Sequence, residues 1–253
     1  MTSFEDHFSR QAADYARYRP DYPEALFAFL ADLAPDRRRA WDCATGNGQA
    51  ALGLSGHFES VVATDASVEQ IRKAVRRPGV HYAVSAAEES PYPNASVGLV
   101  TVAQALHWFD RPRFWREVRR VLVDGGAVAV WSYHGFHVTP EVEAVIHRYY
   151  KEIVGPFWPP GRGIVERGYG ALEFPFAEET PPPFLLEKRW DLAALLGYLQ
   201  TWSASQRFQE AKGSDPVLLV RDDLAEAWGP PERIRPFRWD LDLRVGRKSK
   251  GGG

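Results

Sequence analysis

From residue 40 the chain alternates short β-rich runs with segments of helical period, and few architectures accept that alternation. Ala40–Cys43 is short and apolar, VVATD spans Val61–Asp65, VHYAV spans Val80–Val84, and AVAVW spans Ala127–Trp131. The run VGLVTVA, Val97–Ala103, is apolar almost throughout, as a strand covered on both faces must be. Helical segments fall between these runs. Ser67 with Gln70 forms a capping box ahead of Val68, Ile71 and Val75, and Asp110 precedes Phe114, Val118, Val121 and Leu122 on one face. Strand followed by helix, repeated, implies a parallel sheet with helices on both faces.

The second half is less regular. Thr139-Pro140 starts a helix aligning Val142, Val145, Ile146, Tyr149 and Ile153. A segment dense in proline, glycine and aromatics follows, too aromatic for a disordered linker, and reads as an ordered cap. Phe184–Trp190 and Trp239–Val245 alternate as strands, the last expected to insert antiparallel beside the sixth. The expected fold is therefore α/β: a Rossmann-like seven-stranded sheet of five parallel βα units plus an antiparallel final strand, with a helical and aromatic cap. The expected organisation is N-terminal lid helices over 1–38, a ligand-binding core over 39–135, and a cap with the substrate region over 136–183. The last two strands and their helices then fill 184–246, and a disordered tail occupies 247–253.

Composition narrows the function. Net charge is −2, which argues against a broad phosphate-tracking surface, so no nucleic-acid partner is expected. The apolar runs fall short of a membrane span, and the single Cys43 allows neither an internal disulfide nor a cysteine metal cage. A cytoplasmic monomer or homodimer with a small-molecule substrate is the expectation. His134 and His137 have a metal-like spacing, but no neighbouring acid or cysteine accompanies them in the sequence, so no metal is expected.

The stretch WDCATGNGQA, Trp41–Ala50, sits where open α/β sheets bind ligands. A dinucleotide loop runs Gly-x-Gly-x-x-Gly around a pyrophosphate; here Ala44, Gly46 and Gly48 follow a different spacing behind Asp42. An acid at the first strand tip suits an ammonium group and repels phosphate. Asp65, with Ala66 after it, ends the next strand, where a ribose diol can take a bidentate hydrogen bond. A ligand with a cationic amino-acid end, a ribose and no phosphate is S-adenosylmethionine.

The segments HFSRQAADYARYRPDYP, DCATGNG, ATDAS, AAEESPYP, AQALHWFD and VLVDGGAVAVW together resemble the class I S-adenosylmethionine-dependent methyltransferases, within the small-molecule group related to trans-aconitate methyltransferase. The resemblance covers nearly the whole chain and implies a methyl transfer to a small organic acceptor, a carboxylate among the candidates. It places Ala87 and Glu88 beside the adenine and makes the backbone of Gln104 line the methionine portion. Tyr18 and Arg19, on an N-terminal closing segment, would grip the cofactor. His107 and Trp108 would lie over the methyl group, His107 orienting an acceptor or taking its proton, with Tyr15 from the N-terminal segment. Tyr133, Trp158, Arg162, Arg167 and Trp202 would line the acceptor site, the arginines as carboxylate clamps. For each of these residues a purely structural role competes. Three departures stand out. Ala44 replaces a glycine and is expected to keep negative φ, Ala86 stands where relatives carry an acid, and Gly98 replaces an aspartate. Two alternatives remain: a non-methylating enzyme that cyclises the aminocarboxypropyl arm, favoured by a sealed site, and a non-catalytic cofactor-binding module.

Overall fold

The computed structural model describes residues 18–249 of the chain. Seven strands form one sheet in the order β3-β2-β1-β4-β5-β9-β6. They are β1 (Arg39–Cys43), β2 (Ser60–Asp65), β3 (Val80–Val84), β4 (Val97–Ala103), β5 (Leu122–Ser132), β6 (Ala177–Glu179) and β9 (Asp242–Arg247). Strands β1 to β5 pair in parallel, and β9 runs antiparallel to both β5 and β6. The chain winds outward in one direction through β2 and β3 and in the other through β4 and β5, so the order reverses between β1 and β4. Crevices open at such reversals.

Burial explains the central strands. The residues of β4 from Val97 to Val102 are all buried, because helices cover both faces. Helix α1 (Glu24–Leu33) places Leu26, Phe27, Leu30 and Leu33 on one face of the sheet with α2 (Gln49–Leu54). Helix α4 (Arg111–Val121) places Phe114, Trp115, Val118 and Val121 on the other. Each such side chain withdrawn from water contributes about 1.5–3 kcal/mol. Gly98, unexplained by sequence, faces the loop before β1: a Cβ there would come within 3.0 Å of the Asp36 carbonyl oxygen.

The late strands depart from the sequence expectation in three ways. The single strand expected over 239–245 is broken at Leu241 into β8 (Arg235–Asp240) and β9. The strand β7 (Leu185–Trp190) pairs with β8 in a separate two-stranded sheet. The sheet's remaining position is taken by β6, within the segment expected to be cap. The reason is visible in burial: Leu186, Trp190, Phe237 and Trp239 enter a second aromatic core with Tyr198, Trp202 and Trp228, away from the main sheet. That core, with α5 (Pro140–Arg148), α7 (Leu192–Gln200), α8 (Ser203–Lys212) and α9 (Arg221–Trp228), is the cap.

Two boundaries also move. Helix α1 is a packed layer of the main core instead of a lid. The expected tail is ordered at its start, since the Lys248 backbone N–H donates to Gly126 O (2.9 Å) and Lys248 Nζ to Leu122 O (2.8 Å). Among the described residues no helix is long and apolar enough to cross a membrane.

Gly53, inside α2, tests the fit of this helix against α1. A Cβ there would collide with the Phe27 ring, which is buried. Alanine gains about 1 kcal/mol in helix propensity, but displacing a packed ring costs about 1–3 kcal/mol. Gly53→Ala is expected to lower the thermal midpoint by a few degrees in differential scanning calorimetry. An unchanged or raised midpoint contradicts this packing.

Candidate active site

The loop after β1 is held from below and from the side by two carboxylates. Asp42 is fully buried: its Oδ2 accepts from Thr45 Oγ1 (2.5 Å) in the loop and its Oδ1 from Thr101 Oγ1 (2.8 Å) on β4. The Ala51 backbone N–H in α2 lies close by and favours the ionised form. The expected contact of Asp42 with a ligand's ammonium group is therefore corrected, because its side chain lies sealed beneath the loop with its oxygens occupied. It shapes the loop above it and places a buried carboxylate beneath it. Asp65 braces the same loop laterally. Its Oδ2 accepts from the Gly46 N–H (2.8 Å) and its Oδ1 from the Ser67 N–H (2.8 Å). The helix-capping role belongs to Ser67, whose Oγ accepts from Gln70 N ahead of α3 (Val68–Lys73).

Ala44 does not keep negative φ: it adopts φ 54°, in the left-handed region. That conformation costs a non-glycine residue about 1–2 kcal/mol, and the bracing around it holds it there. Gly46 and Gly48 are left-handed too, with φ 57° and 92°. A side chain on Gly48 would strike the Tyr82 hydroxyl, whereas a Cβ on Gly46 would meet nothing within 4 Å. Gly46 thus presents bare backbone to open space, which lets a ligand approach closely.

After β3, Ala87 and Glu88 lie in a turn, with no helix beginning there. Ala87 is buried in the core beside Trp41, while Glu88 Oε1 accepts from the Asp110 N–H (2.9 Å) and stays half-exposed. Ala66 is exposed beside Asp65. Gln104 closes the end of β4 with φ 58°, its backbone N–H donating to Trp131 O (2.9 Å) and its side chain to Tyr133 O (3.1 Å). A non-glycine residue in that conformation marks backbone held under strain at a site.

Gln104 also borders a cavity of about 690 Å³ between the sheet and the cap. His107, Trp108, Tyr133, Trp158, Arg162, Arg167, Trp202 and Arg19 all line it, so the structure brings together residues from distant parts of the sequence. Arg19 sits over the Tyr198 ring (5.5 Å). Tyr18 instead wedges its ring against Gly197 in the cap core. Pro20 O accepts from Gln49 Nε2 (2.8 Å), which ties this N-terminal segment to the first turn of α2. Tyr15 lies outside the described residues.

Sequence reasoning missed several cavity residues. The helix α5 ends in a π-helical turn, Tyr149–Ile153, and such turns recur at functional sites. It delivers Tyr150, whose hydroxyl donates to Glu166 and accepts from Arg162 Nε (2.6 Å). Burial pushes the Tyr150 hydroxyl up to about 12, so it remains protonated. The Arg162 guanidinium lies over Trp158 at 4.3 Å and Tyr150 at 5.2 Å. Stacked and held at Nε, it keeps both terminal nitrogens without a hydrogen bond among the described residues. Arg167 is exposed at the rim. Tyr169 was missed as well: its hydroxyl lies 2.9 Å from His107 Nδ1. Burial, with Arg162 nearby, lowers the His107 pKa to about 4, so the ring is neutral at physiological pH. His137 does have acids beside it, Glu143 at 3.9 Å and Asp240 at 3.8 Å, brought there by folding.

The fold is thus an α/β sheet with a strained, acid-braced loop at its switch point and an aromatic cavity between the sheet and the cap. Residues 41–130 match the family model of a methyltransferase domain. A Dictyostelium discoideum protein provisionally named a methyltransferase is 32% identical over 231 residues, covering 90% of this chain and 88% of that one. A solved structure from Anaeromyxobacter dehalogenans, provisionally assigned as a type II methyltransferase, is 46% identical with a TM-score of 0.86, covering 92% of this chain and 99% of that one. A Mycobacterium tuberculosis protein named an uncharacterized methyltransferase matches over 129 residues at 36% identity, about half of each chain (49% and 51%). The chain belongs to the methyltransferase family, as a class I S-adenosylmethionine-dependent enzyme. The loop fits that cofactor: Asp65 holds the Gly46 N–H and Asp42 lies buried beneath, a setting suited to a cation and hostile to a pyrophosphate.

Asp42 carries a pH signature. Burial raises its pKa to about 6 against the opposing hydrogen bonds, while an unfolded aspartate titrates near 3.9. Folding therefore takes up a proton between about pH 4 and 6, and stability falls as pH rises through that window. Asp42→Asn removes the buried charge, and the threonine hydroxyls can turn to serve the amide. The stability of Asp42→Asn relative to wild type is expected to increase by up to about 3 kcal/mol between pH 4 and 6 and to level off above. Urea unfolding of both proteins across that range measures it, and a pH-independent difference contradicts the buried charge.

Proposed function

We propose that this methyltransferase methylates a small organic carboxylate held in the aromatic cavity. The observation that carries this reading is Arg162, stacked on Trp158 and Tyr150, fixed at Nε, and offering its two terminal nitrogens to the cavity beside His107. A planar fork held in one orientation recognises a carboxylate bidentately. The surrounding charge agrees. Arg19, Lys151, Arg162 and Arg167 outnumber Glu143 and Glu166 in the cavity lining, and Glu166 is engaged by Tyr150 and Lys151. The resemblance to the trans-aconitate group points the same way.

Bound S-adenosylmethionine supplies an electrophilic methyl group on a sulfonium. The chain's own residues then bind, align and exclude water. Asp65 takes the ribose hydroxyls, Gly46 and Ala66 admit the nucleoside against bare backbone, and Ala87 and Glu88 border the adenine. The Gln104 backbone lines the amino-acid portion, with Arg19 near its carboxylate. Trp108 and Tyr133 wall the junction of crevice and cavity, and Trp158 and Trp202 hold the apolar body of the acceptor. Alignment of acceptor and donor within such a site can supply roughly 7–11 kcal/mol of the barrier reduction. No covalent nucleophile is needed. The cavity's size favours a separate acceptor over cyclisation of the cofactor's own arm, which a sealed site would serve.

Arg162→Ala is expected to raise KM for a carboxylate acceptor about 10- to 100-fold, since hydrogen bonds to charged groups contribute about 1.5–3 kcal/mol. The dissociation constant of S-adenosylmethionine is expected to stay unchanged. A panel of small carboxylates assayed by release of S-adenosylhomocysteine measures the first, and calorimetry the second. Equal KM in the variant removes Arg162 from acceptor binding.

A further inference from the structure

His107 stands where a base would stand, but its surroundings fix which of its nitrogens carries the proton. Nδ1 lies 2.9 Å from the Tyr169 hydroxyl. The backbone N–H groups of Leu106 and His107 lie near that oxygen and favour it as an acceptor. Tyr169 is fully buried, and burial raises its pKa, so the hydroxyl keeps its single proton. Among the described residues Nδ1 is the one acceptor placed to take that proton. An imidazole nitrogen that accepts a hydrogen bond is bare, so in the neutral ring the proton resides on Nε2. The ring packs against Trp108 with centroids 4.7 Å apart, and the backbone of Gly161 closes on its Cδ2 side.

We propose that Tyr169 is a positioning residue that locks His107 as an Nε2–H hydrogen-bond donor to the acceptor, so that the site performs methyl transfer without a base. A nitrogen that already bears a proton cannot take one from an alcohol, phenol or ammonium acceptor. The acceptor oxygen must arrive deprotonated, as a carboxylate does. Its lone pair forms the new O–CH3 bond while the C–S bond breaks and its electron pair goes to sulfur. The products are a neutral methyl ester and a neutral thioether, and no proton moves. The charged and titratable neighbours agree with this state. Arg162 disfavours the imidazolium, while Asp242, which accepts from the Tyr169 N–H, and Tyr22 disfavour ionisation of Tyr169.

This inference rests on the carboxylate reading for its chemistry but not for its first test. Nitrogen-15 spectra of the full-length protein, with histidine selectively labelled, report the tautomer directly. His107→Gln serves to assign the signals. The expected wild-type result is a bare-type Nδ1 and a protonated Nε2 between pH 6 and 8, and in Tyr169→Phe a mixture of tautomers. A protonated Nδ1 in the wild type overturns the proposal whatever the acceptor proves to be. With a turned-over acceptor, kcat is expected to be flat over pH 6–9 with a solvent isotope effect near unity. Tyr169→Phe is expected to lower kcat about tenfold with KM for the acceptor nearly unchanged, and His107→Gln to retain more activity than His107→Ala. A solvent isotope effect well above unity, or full activity in Tyr169→Phe, overturns it as well.

Discussion

The structure depends on a buried carboxylate that binds three elements at one point. Asp42 is the next-to-last residue of the first strand, and its oxygens hold Thr45 of the following loop and Thr101 of the neighbouring strand β4, with the Ala51 backbone of α2 close by. An ionised acid withdrawn from water is costly unless it is satisfied, and here burial still raises its pKa. That cost maintains a loop whose residues would not choose their conformation. Ala44 is left-handed without being glycine, and Gly46 exposes its backbone with its N–H turned to Asp65. Stored strain of this kind persists only where the surroundings over-determine it.

Much of the core was legible because its signals are local. The runs Val80–Val84 and Val97–Ala103 became strands with the expected bounds, Val61–Asp65 gained only Ser60, and Ser67 caps its helix as its spacing implied. The loop with Asp65 pointed to a phosphate-free cationic nucleoside on charge alone. What failed were features set by distant partners. Alternation alone could not say which sheet Leu185–Trp190 would join, since Trp190 and Phe237 pack with Tyr198 in a second core. The break at Leu241 has no strong turn residue to announce it. Asp42 was read as facing a ligand because sequence position does not reveal that Thr45 and Thr101 close over it.

The site shows the same division. Arg162, Trp158 and Trp202 were expected near the acceptor, and the fold does bring them to one cavity. Tyr150 and Tyr169 were not expected, because nothing near them in the chain distinguishes them from other cap aromatics. Tyr150 is presented by a π-helical turn where the sequence pattern read as continuous α-helix. Tyr169 meets His107 although the two are 62 positions apart in the chain. Both act through hydroxyls in an otherwise apolar setting, and a hydroxyl's partner is decided only by packing. The proposed division of labour gives the cofactor to the loop at the sheet edge and the acceptor to the aromatic cavity under the cap, which Gln104 and His107 both border.

The central claim is that the crevice beneath Gly46 and Asp65 holds a positively charged nucleoside without phosphate. Isothermal titration of the full-length protein with S-adenosylmethionine, S-adenosylhomocysteine and NAD tests it most directly. The account predicts saturable heats for the first two, with dissociation constants around the micromolar range or about −8 kcal/mol, and none for the dinucleotide. Binding of NAD without binding of either sulfur nucleoside would contradict it.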